Sequence, residues 1–116
     1  MKRSVSKRSL RMGDQVMRIV ASIVDGELRD PRLEGLTVTG ARMNKSLEVA
    51  EILYSVPPGE GRAEEAARAL EKASGFIRRQ VGQELSVRRV PELRFVHDQF
   101  LENYVYDGPG TDSADS

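Results

Sequence analysis

The sequence contains no cysteine and only one histidine, His97, among its 116 residues. Without thiols the chain can form neither a disulfide framework nor a thiolate nucleophile, and one histidine is too few for any common zinc site. Apolar runs fall well short of the roughly 18 residues that a membrane helix needs, and the sequence has no signal-peptide pattern. We therefore expect a cytoplasmic protein with no metal, no other cofactor and no membrane association.

Residue patterns typical of catalysis or nucleotide binding are also missing. His97 and Asp98 are adjacent in the sequence, but neighbours on a strand point to opposite faces and do not form a catalytic dyad. Gly59-Glu60-Gly61 resembles the start of a dinucleotide loop, but Glu64 replaces the third glycine and its carboxylate would repel a pyrophosphate. We predict that the protein is not an enzyme and has no small-molecule substrate.

The 18 basic and 18 acidic side chains cancel in number but are segregated along the chain. Residues 1–11 carry five bases and no acid, and residues 72–94 carry six bases against two acids. Residues 12–71 and 98–116 have net charges of −4 and −5. Because local potential steers association with a polyanion, a neutral chain of this kind can present one basic face to nucleic acid. The alternative interpretation is an ordinary solvated surface with charged tails.

The first half of the chain predicts a helix followed by a hairpin. Apolar residues recur at three- and four-residue spacing over residues 9–28, and Pro31 ends this helix because proline disfavours the helical region in the preceding Asp30. Asp30 and Arg32 are expected to form a local ion pair or turn hydrogen bond. Residues 36–43 and 48–56 are rich in β-branched side chains and predict an antiparallel hairpin.

The second half predicts a long helix and a third strand. The helix runs from Arg62 to about Leu85 and is divided at Gly75, because glycine inside a helix costs about 1 kcal/mol relative to alanine. Leu93 to Asp98 alternates as a strand. The order α-β-β-α-kink-α-β predicts an α+β domain in which the helices pack on one face of a three-stranded sheet.

Composition also predicts the domain boundaries. We expect one folded domain over residues 9–98, the right size for a single core. It is preceded by a partly flexible basic arm at residues 1–8 and followed by an acidic tail at residues 99–116. The tail is expected to be disordered from about residue 107, where no large apolar residue anchors it.

The predicted kink carries a candidate binding face. On an ideal helix, Lys72, Gly75 and Arg79 lie together, opposite the apolar Leu70. The bases can contact phosphates, the glycine lets a backbone approach closely, and free amides of a restarted helix favour anions. Phe76 lies on the same side, where it would be a stacking platform, but we expect the kink to return it to the core. A merely solvated face is the alternative.

Three motifs, taken together, resemble the bacterial ribosome-binding factor A family. They are Asp30-Pro31-Arg32-Leu33 after the first helix, Ala73-Ser74-Gly75-Phe76-Ile77-Arg78 at the kink, and Arg89-Val90-Pro91-Glu92-Leu93 before a strand that ends in Asp98. The resemblance covers about residues 8–98. It implies a type II KH-like fold in which the kink Ala73-Ser74-Gly75 replaces the usual Gly-x-x-Gly loop. It further implies binding to the immature 30S subunit and its 16S rRNA, assistance in late rRNA maturation, and an association with cold adaptation.

Charge and the resemblance together define the predicted RNA-binding residues. We expect them to contact phosphates without reading sequence, in a protein that acts as a monomer. Two alternatives remain open, a protein-protein adaptor that uses the hairpin edge or open sheet face, and a general single-stranded RNA binder with the same fold. The predicted RNA-binding residues are Lys7, Arg8, Arg11, Lys45, Lys72, Ser74, Gly75, Arg78, Arg79, Arg88, Arg89 and Arg94.

Overall fold

The structure, a computed structural model, describes residues 6–98, and within them it contains two α-helices and one three-stranded sheet. The chain therefore has the predicted α+β fold. The predicted tail at residues 99–116 and residues 1–5 of the predicted arm lie outside the described residues. In chain order the elements are α1 (Lys7–Gly26), a short 3-10 helix (Pro31–Leu33), β1 (Thr37–Met43), β2 (Val49–Ser55), α2 (Arg62–Leu85) and β3 (Glu92–His97).

Helix α1 begins at Lys7 because Ser6 caps it. The Ser6 hydroxyl oxygen accepts a hydrogen bond from the Ser9 amide at 3.0 Å, which satisfies one of the free amides of the first turn. Lys7 and Arg8, which the sequence placed in a partly flexible arm, are thus the first two residues of the helix. The helix ends at Gly26, two residues earlier than predicted.

Strand β2 is the centre of the sheet. It pairs antiparallel with β1, which confirms the predicted hairpin, and parallel with β3. Parallel strands need a crossover long enough to return the chain to the end of the sheet at which the first strand began. The 24-residue helix α2 provides this crossover between β2 and β3.

Both helices pack on the same face of the sheet. Along β2, Ala50, Ile52 and Tyr54 are buried and alternate with half-buried residues that point to the other face. The core contains residues of α1, α2 and β2 in one contiguous cluster, so the two helices share these strand residues. The fully buried large side chains are Val16, Val20, Ile23, Ile52, Leu70, Ile77, Val81 and Pro91.

The face of the sheet away from the helices is open and carries ion pairs. Arg94 is exposed there, while Leu93 and Phe95 pack against the core, as the alternation predicted. The Arg94 Nε donates to the Glu92 carboxylate at 3.1 Å, and Arg42 lies 3.0 Å from Glu51.

Helix α2 runs without interruption through Gly75, so the predicted division into two helices is wrong. The cost of one exposed glycine is about 1 kcal/mol. Burial of Leu70 before it and of Ile77 and Val81 after it outweighs that cost, since each buried aliphatic side chain contributes about 1.5–3 kcal/mol. The expected burial of Phe76 is also wrong. Without a break to rotate the second half of the helix, Phe76 stays 38% exposed.

The glycine that packing requires in α2 is Gly82. A Cβ at Gly82 would lie 2.6 Å from a methyl carbon of Val90, a β-branched residue in the connector between α2 and β3 that has little freedom to move. A Cβ at Gly75 would meet no atom within 4 Å. Gly82 therefore allows the connector to lie close against the helix, whereas Gly75 has no packing role.

These two glycines predict opposite effects on stability. Gly82→Ala forces Val90 away from α2 and should lower the free energy of unfolding by about 1–3 kcal/mol. Gly75→Ala should raise it by about 1 kcal/mol, because alanine is the better helix former at an open position. Urea unfolding of both variants measures these changes, and destabilisation by Gly75→Ala would contradict this account of α2.

Asp30 and Arg32 form the predicted local ion pair. The Asp30 carboxylate accepts the Arg32 amide at 2.9 Å and lies 2.6 Å from the Arg32 guanidinium. Side-chain hydrogen bonds from Arg32 are the main reason that the pKa of Asp30 is lowered from 3.8 to about 2. The pair closes the turn that leads from α1 into the sheet.

This pair predicts a pH-dependent contribution to stability. A carboxyl whose pKa is lower in the folded chain stabilises the fold above its unfolded pKa, here 3.8, and loses that effect as the pH falls towards 2. Asp30→Asn should therefore reduce the free energy of unfolding at pH 5, and the difference from the unmodified protein should shrink as the pH falls from 4 to 2. Urea titrations across this range measure it, and a difference that does not change with pH would refute the assignment.

Candidate nucleic-acid interface

Three basic segments meet at one end of the strands of the sheet. There β1 ends and β2 begins, with Met43 opposite Ala50, and β3 begins at the same end, with Glu92 opposite Val49. The first turns of α1 reach this end too, because a Cβ at Gly13 would lie only 3.1 Å from the carbonyl oxygen of Ala41. The start of α1, the β1–β2 turn and the α2–β3 connector therefore surround one space.

That space is a cleft of about 710 Å³ with a cationic lining. Among the described residues that line it, Glu48 is the one acid, and its carboxylate is 3.7 Å from an Arg89 nitrogen. The pair is exposed, with 83% of the Arg89 side chain open to solvent, so it contributes little to stability. Glu48 therefore competes only weakly with an anionic ligand for Arg89. We call this space the basic cleft. Its cations are Arg8, Arg11, Lys45, Arg88 and Arg89.

The β1–β2 turn that carries Lys45 is held by Asn44. The Asn44 side-chain oxygen accepts hydrogen bonds from the amides of Glu48 and Val49 at 2.9 and 3.0 Å. Leu47 adopts a φ of +63°, in the left-handed region. These contacts define the turn and place Lys45 and Leu47 in the wall of the basic cleft.

A second basic surface lies on α2. Lys72, Gly75 and Arg79 are exposed on the side opposite the buried Leu70 and Ile77, as predicted, and we call these three residues the α2 face. Because the helix is continuous, its amides are bonded within the helix and offer no free donors to an anion. The α2 face therefore offers the charges of Lys72 and Arg79 and, at Gly75, a stretch of backbone that no side chain covers. It does not offer the amides of a restarted helix, which the sequence suggested.

The predicted kink motif lies inside the continuous helix α2. Ala73, Ser74 and Gly75 are helical residues, and the Ser74 hydroxyl donates to the carbonyl oxygen of Glu71 at 2.8 Å. This bond turns the Ser74 side chain back onto its own helix.

Arg78 acts within the fold. Its Nε donates to the carbonyl oxygen of Pro91 at 3.2 Å and a terminal nitrogen donates to that of Val90 at 3.0 Å. The guanidinium thus joins α2 to the connector that carries Arg88 and Arg89. Arg78 holds part of the basic cleft in place.

The structure thus divides the predicted RNA-binding residues among distinct places. Arg8, Arg11, Lys45, Arg88 and Arg89 meet in the basic cleft, and Lys72, Gly75 and Arg79 form the α2 face next to Ser74. Arg78 binds the connector, Arg94 pairs with Glu92 on the open face, and Lys7 lies in the first turn of α1 outside the cleft lining. The cleft and the α2 face are about 15 Å apart along α2, from Leu85 to Gly75.

His97 has a structural contact. Its ring stacks on that of Tyr54, with 5.5 Å between the ring centroids. Asp98 contacts the first two strands: its amide donates to the Tyr54 carbonyl oxygen and its carboxylate accepts from the Thr39 hydroxyl at 3.3 Å. Burial raises the pKa of the Tyr54 hydroxyl.

Two other kinds of feature are absent from the described residues. Residues 6–98 hold no group of three or more His, Asp or Glu side chains placed to bind a metal ion. Neither helix in this part of the chain is long and apolar enough to cross a membrane.

The sequence did not predict the apolar part of the basic cleft. Leu47, Leu85 and Val87 come from two separate connections, and Met12 comes from α1. Their juxtaposition depends on the parallel pairing of β3 with β2, which periodicity alone does not reveal. The only local signal was the polar turn at residues 44–46.

The sequence and structure are similar to proteins from several bacteria. Residues 8–106 match the family model described as Ribosome-binding factor A. The protein of that name from Nitrosomonas eutropha is 36% identical over 95 residues, which cover 82% of this chain and 81% of the relative. The one from Pseudarthrobacter chlorophenolicus is 40% identical over 92 residues and is longer, since the match covers 79% of this chain and 53% of the relative.

Solved structures give the same result. The crystal structure of ribosome-binding factor A from Thermus thermophilus matches with a TM-score of 0.70 and 28% identity, over 78% of this chain and 97% of that one. A Thermus thermophilus homology model, fitted into a cryo-electron microscopy map of a 30S complex, matches with a TM-score of 0.63 and 29% identity, over 76% and 92% of the two chains. The chain therefore belongs to the ribosome-binding factor A family.

Proposed function

We propose that this protein binds the immature 30S ribosomal subunit through the phosphates of 16S rRNA and assists late maturation of that RNA. The observation that carries the proposal is the basic cleft, where five cations from three separate segments converge on a chain of zero net charge. Such a concentration of positive charge attracts a polyanion and contributes to binding through counterion release. The Thermus thermophilus relative fitted into the 30S complex supports the choice of the small subunit as the polyanion.

The proposed mechanism is docking without chemistry. Cations in the basic cleft and on the α2 face bind phosphates of folded rRNA, and the rigid sheet sets the distance between these contacts. The factor holds a late intermediate until its RNA matures and acts as a cytoplasmic monomer that is not an enzyme. Cold adaptation follows from this role, because misfolded RNA helices rearrange more slowly at low temperature.

Sedimentation with ribosomal particles tests the choice of partner. The full chain is layered on sucrose gradients with small subunits, large subunits or naked RNA, at low and at moderate salt. Selective migration with small subunits at moderate salt is the expected result. Equal migration with every RNA, lost on addition of salt, would favour a general single-stranded RNA binder, and migration with none would favour a protein-protein adaptor.

Salt dependence tests the role of the basic cleft. The logarithm of affinity should fall linearly with the logarithm of salt. If each of the five cleft cations binds one phosphate of unpaired RNA, the cleft contributes roughly −3.5 to that slope. Removal of two contacts in Arg88→Ala/Arg89→Ala should make the slope less steep by roughly 1.4. The control is Arg29→Ala, an exposed arginine beyond the opposite end of α1 that should leave the slope unchanged. Equal slopes for all three proteins would exclude the cleft as the phosphate site.

Arg78 and Arg79 form a matched pair that separates folding from binding. Arg78→Ala removes two hydrogen bonds to the connector and should lower the free energy of unfolding by about 1 kcal/mol. Arg79→Ala should leave stability within about 0.5 kcal/mol and weaken binding to small subunits, because its side chain is exposed on the α2 face. Urea unfolding and small-subunit titrations of the two variants measure this. Unchanged affinity in Arg79→Ala would remove the α2 face from the proposed interface.

A further inference from the structure

The basic cleft is lined by apolar residues as well as cations, and we call the four apolar residues the apolar lining. Met12 and Leu85 come from the two helices, and Leu47 and Val87 come from the turn and the connector. All four are half-buried, so part of each side chain faces the cleft. Phosphates gain nothing from such a surface. A ligand that matches the whole cleft must carry both negative charge and an apolar or aromatic group.

Leu47 is an unexpected residue at its position. Its φ of +63° lies in the left-handed region, which glycine and asparagine adopt readily and a bulky side chain adopts at a cost. The turn itself is held by the Asn44 side chain and does not need leucine. What leucine adds at this position is an apolar side chain in the cleft wall, which favours a role in binding.

The size of the cleft fits a small group better than a double helix. At about 710 Å³ it lies within the range of roughly 300–1,000 Å³ that is typical of small-ligand sites. In an RNA duplex the base faces are stacked on one another and only base edges, sugars and phosphates are accessible, so a duplex offers no base face to the apolar lining. An unpaired nucleotide presents a base face and its phosphates together.

We propose that the basic cleft holds one unpaired nucleotide of RNA. Its base packs against Leu47 and Val87, and its flanking phosphates bind the cations at the rim. The described lining contains no aromatic residue on which a base could stack. The planar guanidinium groups of Arg88 and Arg89 can take that place, because such groups also stack on bases. This inference rests on the proposed function and narrows its ligand from folded rRNA to a bulged or single-stranded position.

Three RNA hairpins of equal stem sequence test the inference. One is fully paired, one has a single bulged adenosine, and one has an abasic residue at the bulge, which keeps the phosphate and removes the base. Fluorescence anisotropy with labelled RNA measures affinity for the full chain. We expect the bulged RNA to bind roughly tenfold more tightly than the abasic RNA, from contact of one base with the cleft. Equal affinity for these two RNAs, or for the bulged and the fully paired one, would overturn the proposal.

A matched pair of leucine variants assigns the preference to the cleft. Leu47→Asn keeps a residue that tolerates the left-handed turn and removes the apolar side chain. It should reduce the preference for the bulged over the abasic RNA to less than about twofold, with the salt slope unchanged because no cation is removed. Leu10→Ala truncates a 61% exposed leucine of α1 outside the cleft and should keep the preference. Retention of the preference in Leu47→Asn would overturn the proposal.

The same proteins separate this inference from the proposed function. Leu10→Ala, which changes no residue of the cleft lining, should migrate with small subunits as the unmodified protein does. If the unmodified protein fails to migrate with small subunits, the proposed function fails. If it migrates but does not distinguish the bulged RNA from the abasic RNA, only the inference about the unpaired nucleotide fails.

Discussion

The structure depends on the central position of β2. Its buried residues Ala50, Ile52 and Tyr54 hold both helices on one face of the sheet. Because β2 pairs antiparallel with β1 and parallel with β3, the end of β1 and the start of β3 both lie beside the start of β2. The β1–β2 turn and the α2–β3 connector consequently lie side by side, and with the start of α1 they form the basic cleft. The distribution of charge on the surface therefore follows from the packing of the core.

The connector between α2 and β3, which carries two of the cleft cations, is held firmly by packing and hydrogen bonds. Val90 packs onto Gly82, the side chain of Pro91 is fully buried, and Arg78 binds the carbonyl oxygens of both residues. Like charges brought together in this way repel one another, and a bound polyanion relieves the repulsion. Because the backbone that carries the charges is already ordered, binding to RNA requires little further loss of conformational entropy in this segment.

Periodicity and turn residues predicted the first helix, the three strands, the overall span of the second helix, the hairpin and the position of Arg94. They were wrong about Gly75, because a local propensity of about 1 kcal/mol is outweighed by burial on both sides of it. They were wrong about Phe76 for the same reason. The candidate site was visible as two basic stretches, but its division into a cleft, an α2 face and the structural Arg78 depends on the register of β3 against β2. That register joins residues about 40 positions apart and has no local signal, and neither does the left-handed conformation of Leu47.

The central claim is that the basic cleft faces the rRNA of the small subunit, and directed hydroxyl-radical probing tests it most directly. The chain has no cysteine, so Ser46→Cys in the β1–β2 turn and Thr37→Cys at the other end of β1 can each carry an iron chelate at a single site. The two positions are about 20 Å apart along the strands. In complexes with small subunits, probes at position 46 should cleave 16S rRNA strongly and probes at position 37 weakly. Strong cleavage from position 37 with none from position 46 would contradict the account.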